Sequence, residues 1–290
     1  MEIRNLSHID FDSLFRAFED AFCDYAIHFE KEEVRSMLAR RGYEPRLSFA
    51  AFVEDRIVAF TLNGIGLFNG IPTAYDTGTG TVKEFRGQGI PGKIFDYSLP
   101  FLKQAGVKQY LLEVLKNNRT AIDIYRRMQI ETVREFDCFR QNIDGICNLD
   151  TTGHALGISM EPIDSAAVCA SASFCDFLPS WQNSVESIER GRKGLSCVGA
   201  FLSGKLVGYC VSDSATGDIT QIAVKKDCRR RGIATLLLRH AISRMETGCI
   251  KVLNIPSENV SMRAFLESKN ISMASAQYEM LLLLTTDEDI

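Results

Sequence analysis

Arg229, Arg230 and Arg231 stand directly before Gly232 in the stretch CRRRGIATLLLRH. Three cations against a glycine that opens an apolar, helix-like run can cradle an anion. A helix N-terminus leaves backbone N–H groups without intrahelical partners and carries about half a positive charge, and glycine lets a ligand approach that backbone. The anion must be small and local, because 37 Asp and Glu outnumber 33 Lys and Arg and the formal net charge is −4. A nucleic-acid-binding domain should carry a clear cationic excess, so no nucleic-acid partner is expected. An isolated cluster of this kind is more often a solvated helix start, so its meaning depends on its surroundings.

Those surroundings occur twice. AFVEDRIVAFTL from Ala51 pairs with AFLSGKLVGYCV from Ala200, RGQGIP from Arg86 with RRRGIA from Arg229, and NNRTAIDIYRRMQI with ENVSMRAFLESKNI, setting Asn118 on Asn259. Blocks that keep their order with small drifts are expected of two copies of one domain whose loops vary. The drift between the first two pairings assigns the first copy a longer loop, NGIGLFNGIPTA at 63–74, against SDSATG at 212–217.

Each copy reads as β-α-α-β-β-β-α-β-α-β. In the first copy a strand at EIRNL precedes helices at FDSLFRAFEDAF and KEEVRSMLARR, then a hairpin, the strand TAYDTGTGTV, a helix behind the glycine motif, the strand KQYLLEVL, a helix and the strand TVREFDCFRQN. The second copy follows with GISMEP, GDITQIAV, CIKVLNI and MASAQYEMLLLL. The expected division is a domain at 1–142, a Gly/Asp/Asn/Thr-rich linker at 143–157 and a domain at 158–290. Pro100 is expected to kink or shorten the first copy's long helix. The 290 residues are 46% hydrophobic, enough for one large or two ordinary globular domains. The opening residues lack a signal-peptide h-region and no run reaches the roughly 18 apolar residues of a membrane span, which leads to the expectation of a cytoplasmic protein without a membrane partner. Nine cysteines without a CxxC pair read mostly as reduced core thiols, and four histidines without ligand spacing suggest no metal.

The segment IAVKKDCRRRGIA resembles the acetyl-CoA-binding signature of the GCN5-related N-acetyltransferases (GNAT): an Arg or Gln, two residues, Gly, one residue, then Gly or Ala. Arg229, Gly232 and Ala234 satisfy the fixed positions. LLEVLKNNRTAIDIYRRMQI is similar to the family's second signature, with Asn118 and Tyr125 in the polar and phenolic places. The resemblance covers both halves. It implies an α/β mixed-sheet fold, two tandem acyl-CoA N-acyltransferase domains with splayed central strands, and direct transfer of an acyl group from acetyl-CoA to a small-molecule or peptide amine. The pyrophosphate then falls to Arg86, Gly87, Gln88, Gly89, Ile90 and Gly92 in the first copy. In the second it falls to Arg229, Arg230, Arg231, Gly232, Ile233 and Ala234. Ile222 and Val224 line the pantetheine arm, and Asn118 and Asn259 make polar contacts to it.

Within that resemblance Tyr125 lies near the sulfur as a proton donor to the departing thiolate. Asp76, Glu113 and the weaker Glu84 are candidates to take the amine's proton. The copies depart from the pattern in complementary ways. The first has Pro91 where Gly or Ala is expected, losing one N–H; the second has Leu266 where the first has Tyr125, and leucine is no acid. The departures lead to the expectation of catalysis in the first copy, although family members without the tyrosine can still turn over. The alternative is a non-catalytic acyl-CoA-binding or regulatory module with one or both sites degenerate. A dinucleotide-binding oxidoreductase would need GxGxxG after an N-terminal strand, and no such unit is evident.

Overall fold

The computed structural model describes residues 1–24, 30–150 and 157–284. The chain runs β1 (Glu2–Asn5), α1 (Phe11–Phe22), α2 (Lys31–Arg41), β2 (Phe49–Val53), β3 (Arg56–Phe68), β4 (Ile71–Thr81), α3 (Ile90–Gln104), β5 (Gln109–Leu115), α4 (Arg119–Arg127) and β6 (Glu131–Asn142). It then repeats the order with β7 (Ile158–Pro162), α5 (Ser165–Ala170), α6 (Val185–Gly191), β8 (Ser196–Leu202), β9 (Lys205–Asp213), β10 (Asp218–Val224), α7 (Ile233–Ile242), β11 (Cys249–Pro256), α8 (Val260–Ser268) and β12 (Ser272–Leu283). The element order read from the sequence is therefore present twice.

Contacts divide the chain into two compact units, Met1–Val133 with Glu279–Ile290, and Arg134–Tyr278. In the first unit β1 to β4 are antiparallel neighbours and β5 joins β4 in parallel. The end of β12 completes this unit beside β5, with the Leu284 N–H donating to Lys108 O at 2.8 Å. In the second unit β7 to β10 are antiparallel, β11 joins β10 in parallel, and β6 pairs antiparallel with β11 from Asn142↔Cys249 to Phe136↔Pro256. Most of the last strand of the first repeat thus belongs to the second unit, and the end of the second repeat's last strand belongs to the first. The chain path differs here from a cut at 143–157, of which residues 151–156 lie outside the described residues.

Local chemistry explains the helix starts. Asp10 caps α1 by accepting from the Ser13 N–H at 2.8 Å, and Glu30 with Glu33 forms a reciprocal capping box on α2, which ends at left-handed Gly42. The first unit's core gathers Leu14, Phe18, Val34, Leu38 and Phe60 on one side of its sheet, and Phe49, Val58, Ile90 and Ile94 in a second cluster. The second unit packs Ile222, Val224, Ile233, Leu237 and Leu266 in its main core, with a second cluster around Val168, Ile188 and Tyr209.

Three expectations are corrected. Residues 63–74 are no loop: β3 and β4 continue through them, from Asn63↔Asp76 to Phe68↔Ile71, and turn on Asn69 and Gly70 with φ of 51° and 77°. A two-residue turn with both φ positive matches the twist of a hairpin, so the extra residues lengthen the strands. α3 runs through Pro100 to Gln104 and is not shortened. Core burial holds for the thiols of Cys138 and Cys210, whereas Cys23, Cys147 and Cys169 are exposed.

Candidate active site

In both units the two parallel strands part. β4 and β5 pair only from Thr73↔Gln109 to Tyr75↔Leu111, and β10 and β11 only at Asp218↔Lys251, yet each strand continues for several residues beyond. A bulge marks the same place in each unit, with Thr77 and Thr220 as the extra residue. Bulges of this kind re-aim side chains beside functional sites.

Each β4-like strand leads into a helix whose N-cap is a left-handed glycine: Gly89 with φ 68° before α3, and Gly232 with φ 79° before α7. Only glycine takes that conformation without strain. The first intrahelical bonds run from Lys93 N to Gly89 O and from Leu236 N to Gly232 O. The N–H groups of Ile90 and Gly92, and of Ile233, Ala234 and Thr235, therefore face outward; Pro91 contributes none. Gly87 and Arg230 are equivalent left-handed residues, with φ 78° and 62°. Gln88 and Arg231 follow them on the exposed surface.

The first arginine of each loop has a different environment. Arg86 Nη1 donates to Asp24 Oδ2 at 2.7 Å, Nη2 to Ala21 O at 3.0 Å and Nε to Thr81 O at 3.1 Å. Arg229 repeats the set with Asp176 Oδ2 at 2.7 Å, Phe174 O at 2.9 Å and Val224 O at 2.9 Å. The Arg86 guanidinium, with Lys83, holds the Asp24 carboxyl below its usual range. Asp24 and Asp176 were not singled out from the sequence. The signal was present as a further repeat, Phe22-Cys23-Asp24 and Phe174-Cys175-Asp176.

The second unit's cleft has a volume of about 350 Å³ and runs along β10. Ile222, Val224, Arg229, Arg230, Gly232, Ile233, Ala234 and Asn259 line it, which brings together most of that copy's expected cofactor residues; Arg231 is not among them. Asn118 and Asn259 are both helix N-caps, accepting from Ala121 N at 3.2 Å and Met262 N at 2.9 Å. Gln221 forms another part of the wall, accepting from Tyr209 Oη at 2.8 Å and donating to Asn183 O at 2.6 Å.

In the first unit the parting strands carry a polar cluster. Tyr125 Oη on α4 donates to Asp76 Oδ2 on β4 at 3.2 Å. Asp76 also accepts from Thr79 Oγ1 at 2.7 Å and Gly78 N at 2.9 Å. Burial pushes the Asp76 carboxyl up to about 6, against the opposing pull of those hydrogen bonds and of Arg41. Tyr75 Oη donates to Glu113 Oε2 at 2.5 Å, and Tyr110 Oη to Asn63 Oδ1 at 2.9 Å. Burial raises both phenols, so they stay protonated at neutral pH. Asp76 and Tyr125 are thus brought together, Glu113 is committed to Tyr75, and Glu84 is exposed in the turn after β4. The second unit has Ile219 ten residues before Arg229, where the first has Asp76 ten before Arg86, and it buries Leu266 in place of Tyr125.

Splayed parallel strands followed by a glycine-opened helix, twice in one chain, define a tandem acyl-CoA N-acyltransferase fold. The Acetyltransferase (GNAT) family matches residues 12–129 and 168–270, and the chain belongs to that family. The N-alpha-acetyltransferase 30 of Schizosaccharomyces pombe is 32% identical over 85 residues, 29% of this chain. The match spans 57% of that relative's length. Among solved structures, a tandem GNAT protein from the clavulanic acid biosynthesis pathway aligns with a TM-score of 0.71 at 13% identity, covering 99% of both chains. A GCN5-related N-acetyltransferase from Sphaerobacter thermophilus aligns with a TM-score of 0.71 at 14% identity, covering 98% of this chain and 96% of that one.

Proposed function

We propose that the first unit transfers an acetyl group from acetyl-CoA directly to a primary amine, with Asp76 and Tyr125 moving the protons. The hydrogen bond from Tyr125 to Asp76 at the point where β4 and β5 part carries this reading. The parting strands leave backbone groups for the pantetheine arm, and the outward N–H groups of Ile90 and Gly92 are suited to phosphate oxygens. A lysine-like amine is only about one part in a few thousand neutral at pH 7, so a base is required. Asp76, ionised above about pH 6, accepts that proton, and the second proton that the nitrogen sheds on becoming an amide leaves to solvent. As the amine nitrogen bonds to the acyl carbon and the carbon–sulfur bond breaks, Tyr125 gives its proton to the departing thiolate and recovers one from Asp76. The protons balance through the bond seen between the two side chains.

The second unit supports a different role. Ile219 and Leu266 stand where the first unit has Asp76 and Tyr125, so neither member of the proton pair is repeated, while the phosphate loop keeps three outward N–H groups and two exposed arginines. This unit holds acyl-CoA without turning it over. Thiol release from acetyl-CoA across a panel of amines, including peptides with a free N-terminus as the curated relative's name suggests, tests the activity. Amine-dependent release that survives Gly232→Val supports the division of labour. Release abolished by that change in a folded protein puts the chemistry in the second unit.

A further inference from the structure

We propose that Asp24 and Asp176 are positioning residues for the two phosphate loops, and that the first arginine of each loop serves as a brace. The inference rests on the reading that these loops receive the pyrophosphate of coenzyme A. It is motivated by the same three-point arrangement in both units. The guanidinium binds the carbonyl of the strand's last residue, Thr81 or Val224, a carboxylate at 2.7 Å, and a carbonyl of the segment beside that carboxylate. A planar guanidinium meets three acceptors in fixed directions, which an ammonium on a flexible stem cannot reproduce. The arginine is thereby tied to the loop's base.

The pairing has an electrostatic consequence. A carboxylate beside a phosphate site would repel the ligand unless a cation matched it, and the arginine's charge is engaged in that match. In the second unit Arg230 and Arg231 remain as exposed cations, whereas Gly87 and Gln88 hold those places in the first. Asp176 and Arg229 also line the cleft together with Phe174, so the brace joins the loop to the cleft wall. Removing the acid should therefore harm binding, even though simple charge counting says that deleting an anion near a phosphate site should help.

The test titrates coenzyme A into the full chain by calorimetry, with the second-unit site identified as the one that Gly232→Val removes. Asp176→Asn, Arg229→Gln and Arg229→Lys should each weaken that site roughly tenfold, the scale of one charge-assisted hydrogen bond. The double variant Asp176→Asn/Arg229→Gln should be no weaker than either single change, because both remove one device. In the first unit, Asp24→Asn should raise KM for acetyl-CoA with kcat unchanged. If Asp176→Asn binds as well as or more tightly than the parent, the brace is refuted; a loss with Arg229→Gln that Arg229→Lys restores makes Arg229 a direct phosphate ligand. Should Arg229→Gln fail to fold, Asp176→Asn and Arg229→Lys decide between the same outcomes. A parent that binds no coenzyme A removes the reading of the loops itself and the brace with it.

Discussion

Replacing Asp76 by Asn separates the catalytic use proposed for this carboxylate from its cost to the fold. Burial raises the group from the ordinary 3.8 to about 6, so the folded state prefers the protonated form. Converted at 1.36 kcal/mol per pKa unit, that preference is about 3 kcal/mol. The sign follows from proton uptake: between about pH 6 and 3.8 the folded chain binds a proton that the unfolded chain does not, so this group's contribution to stability rises as pH falls through that window. Above pH 6 the penalty is fully present. Asn carries no charge to desolvate; its carbonyl oxygen at the Oδ1 place can still accept from Gly78 N, and its amide at the Oδ2 place can donate to Thr79 Oγ1. Urea denaturation should therefore show Asp76→Asn more stable than the parent at pH 8, by up to about 3 kcal/mol, with the advantage vanishing below pH 4. Thiol-release kinetics should show kcat/KM lower by about 10²- to 10⁴-fold, and the parent's acid limb near pH 6 should disappear. A variant that keeps both its rate and that limb would show that the base lies elsewhere. A loss of several kcal/mol at pH 8 would show that the ionised carboxylate is well solvated or well paired, and the burial argument would fail.

Three further outcomes are expected. Tyr125→Phe should lower kcat by about 10²- to 10⁴-fold when the chemical step is measured, and should move the acid limb above about pH 6, because the lost hydrogen bond is one that lowers Asp76; pH-dependent single-turnover rates check both. Gly232→Val should abolish coenzyme A binding at the second-unit site, since a β-branched residue resists φ 79° and its side chain stands in the phosphate approach; calorimetry reads this directly. Ending the chain after Tyr278 should remove the first unit's thermal transition while the second's remains, because buried Met280 and Leu284 are lost and such residues contribute about 2–5 kcal/mol each; hydrogen exchange resolved by segment distinguishes the units.

Much of this arrangement is legible in the sequence because it depends on local patterns. Period-two apolar runs and glycine punctuation fix the element order, and the Asn118-to-Tyr125 spacing places the phenol on the helix beside β5. Asp76 is readable as a charge set in a strand, TAYDTG, where an unpaired carboxylate is costly. The 63–74 segment is misread because its Asn69-Gly70 turn is embedded in glycines that resemble a loop. The partner of Arg86 is hidden for another reason: Asp24 is 62 residues away, and nothing local marks it except the Phe-Cys-Asp repeat. The exchange of β6 and β12 is the least legible feature. Both strands carry similar apolar patterns, and neither pattern records which neighbour it will join.

That exchange also sets a timetable. On the ribosome, the first unit gains β5 early, but the stretch that completes it beside β5 begins at Glu279. Between Val133 and Leu284 lie about 150 residues, which at about 5–20 residues per second take roughly 8–30 s to make. Throughout that interval the edge of β5 is open, and an open edge invites pairing with other chains. Arg134–Asn142 likewise await β11. Synthesis rate, and whatever shields a nascent strand edge, are therefore expected to bear on the yield of this protein.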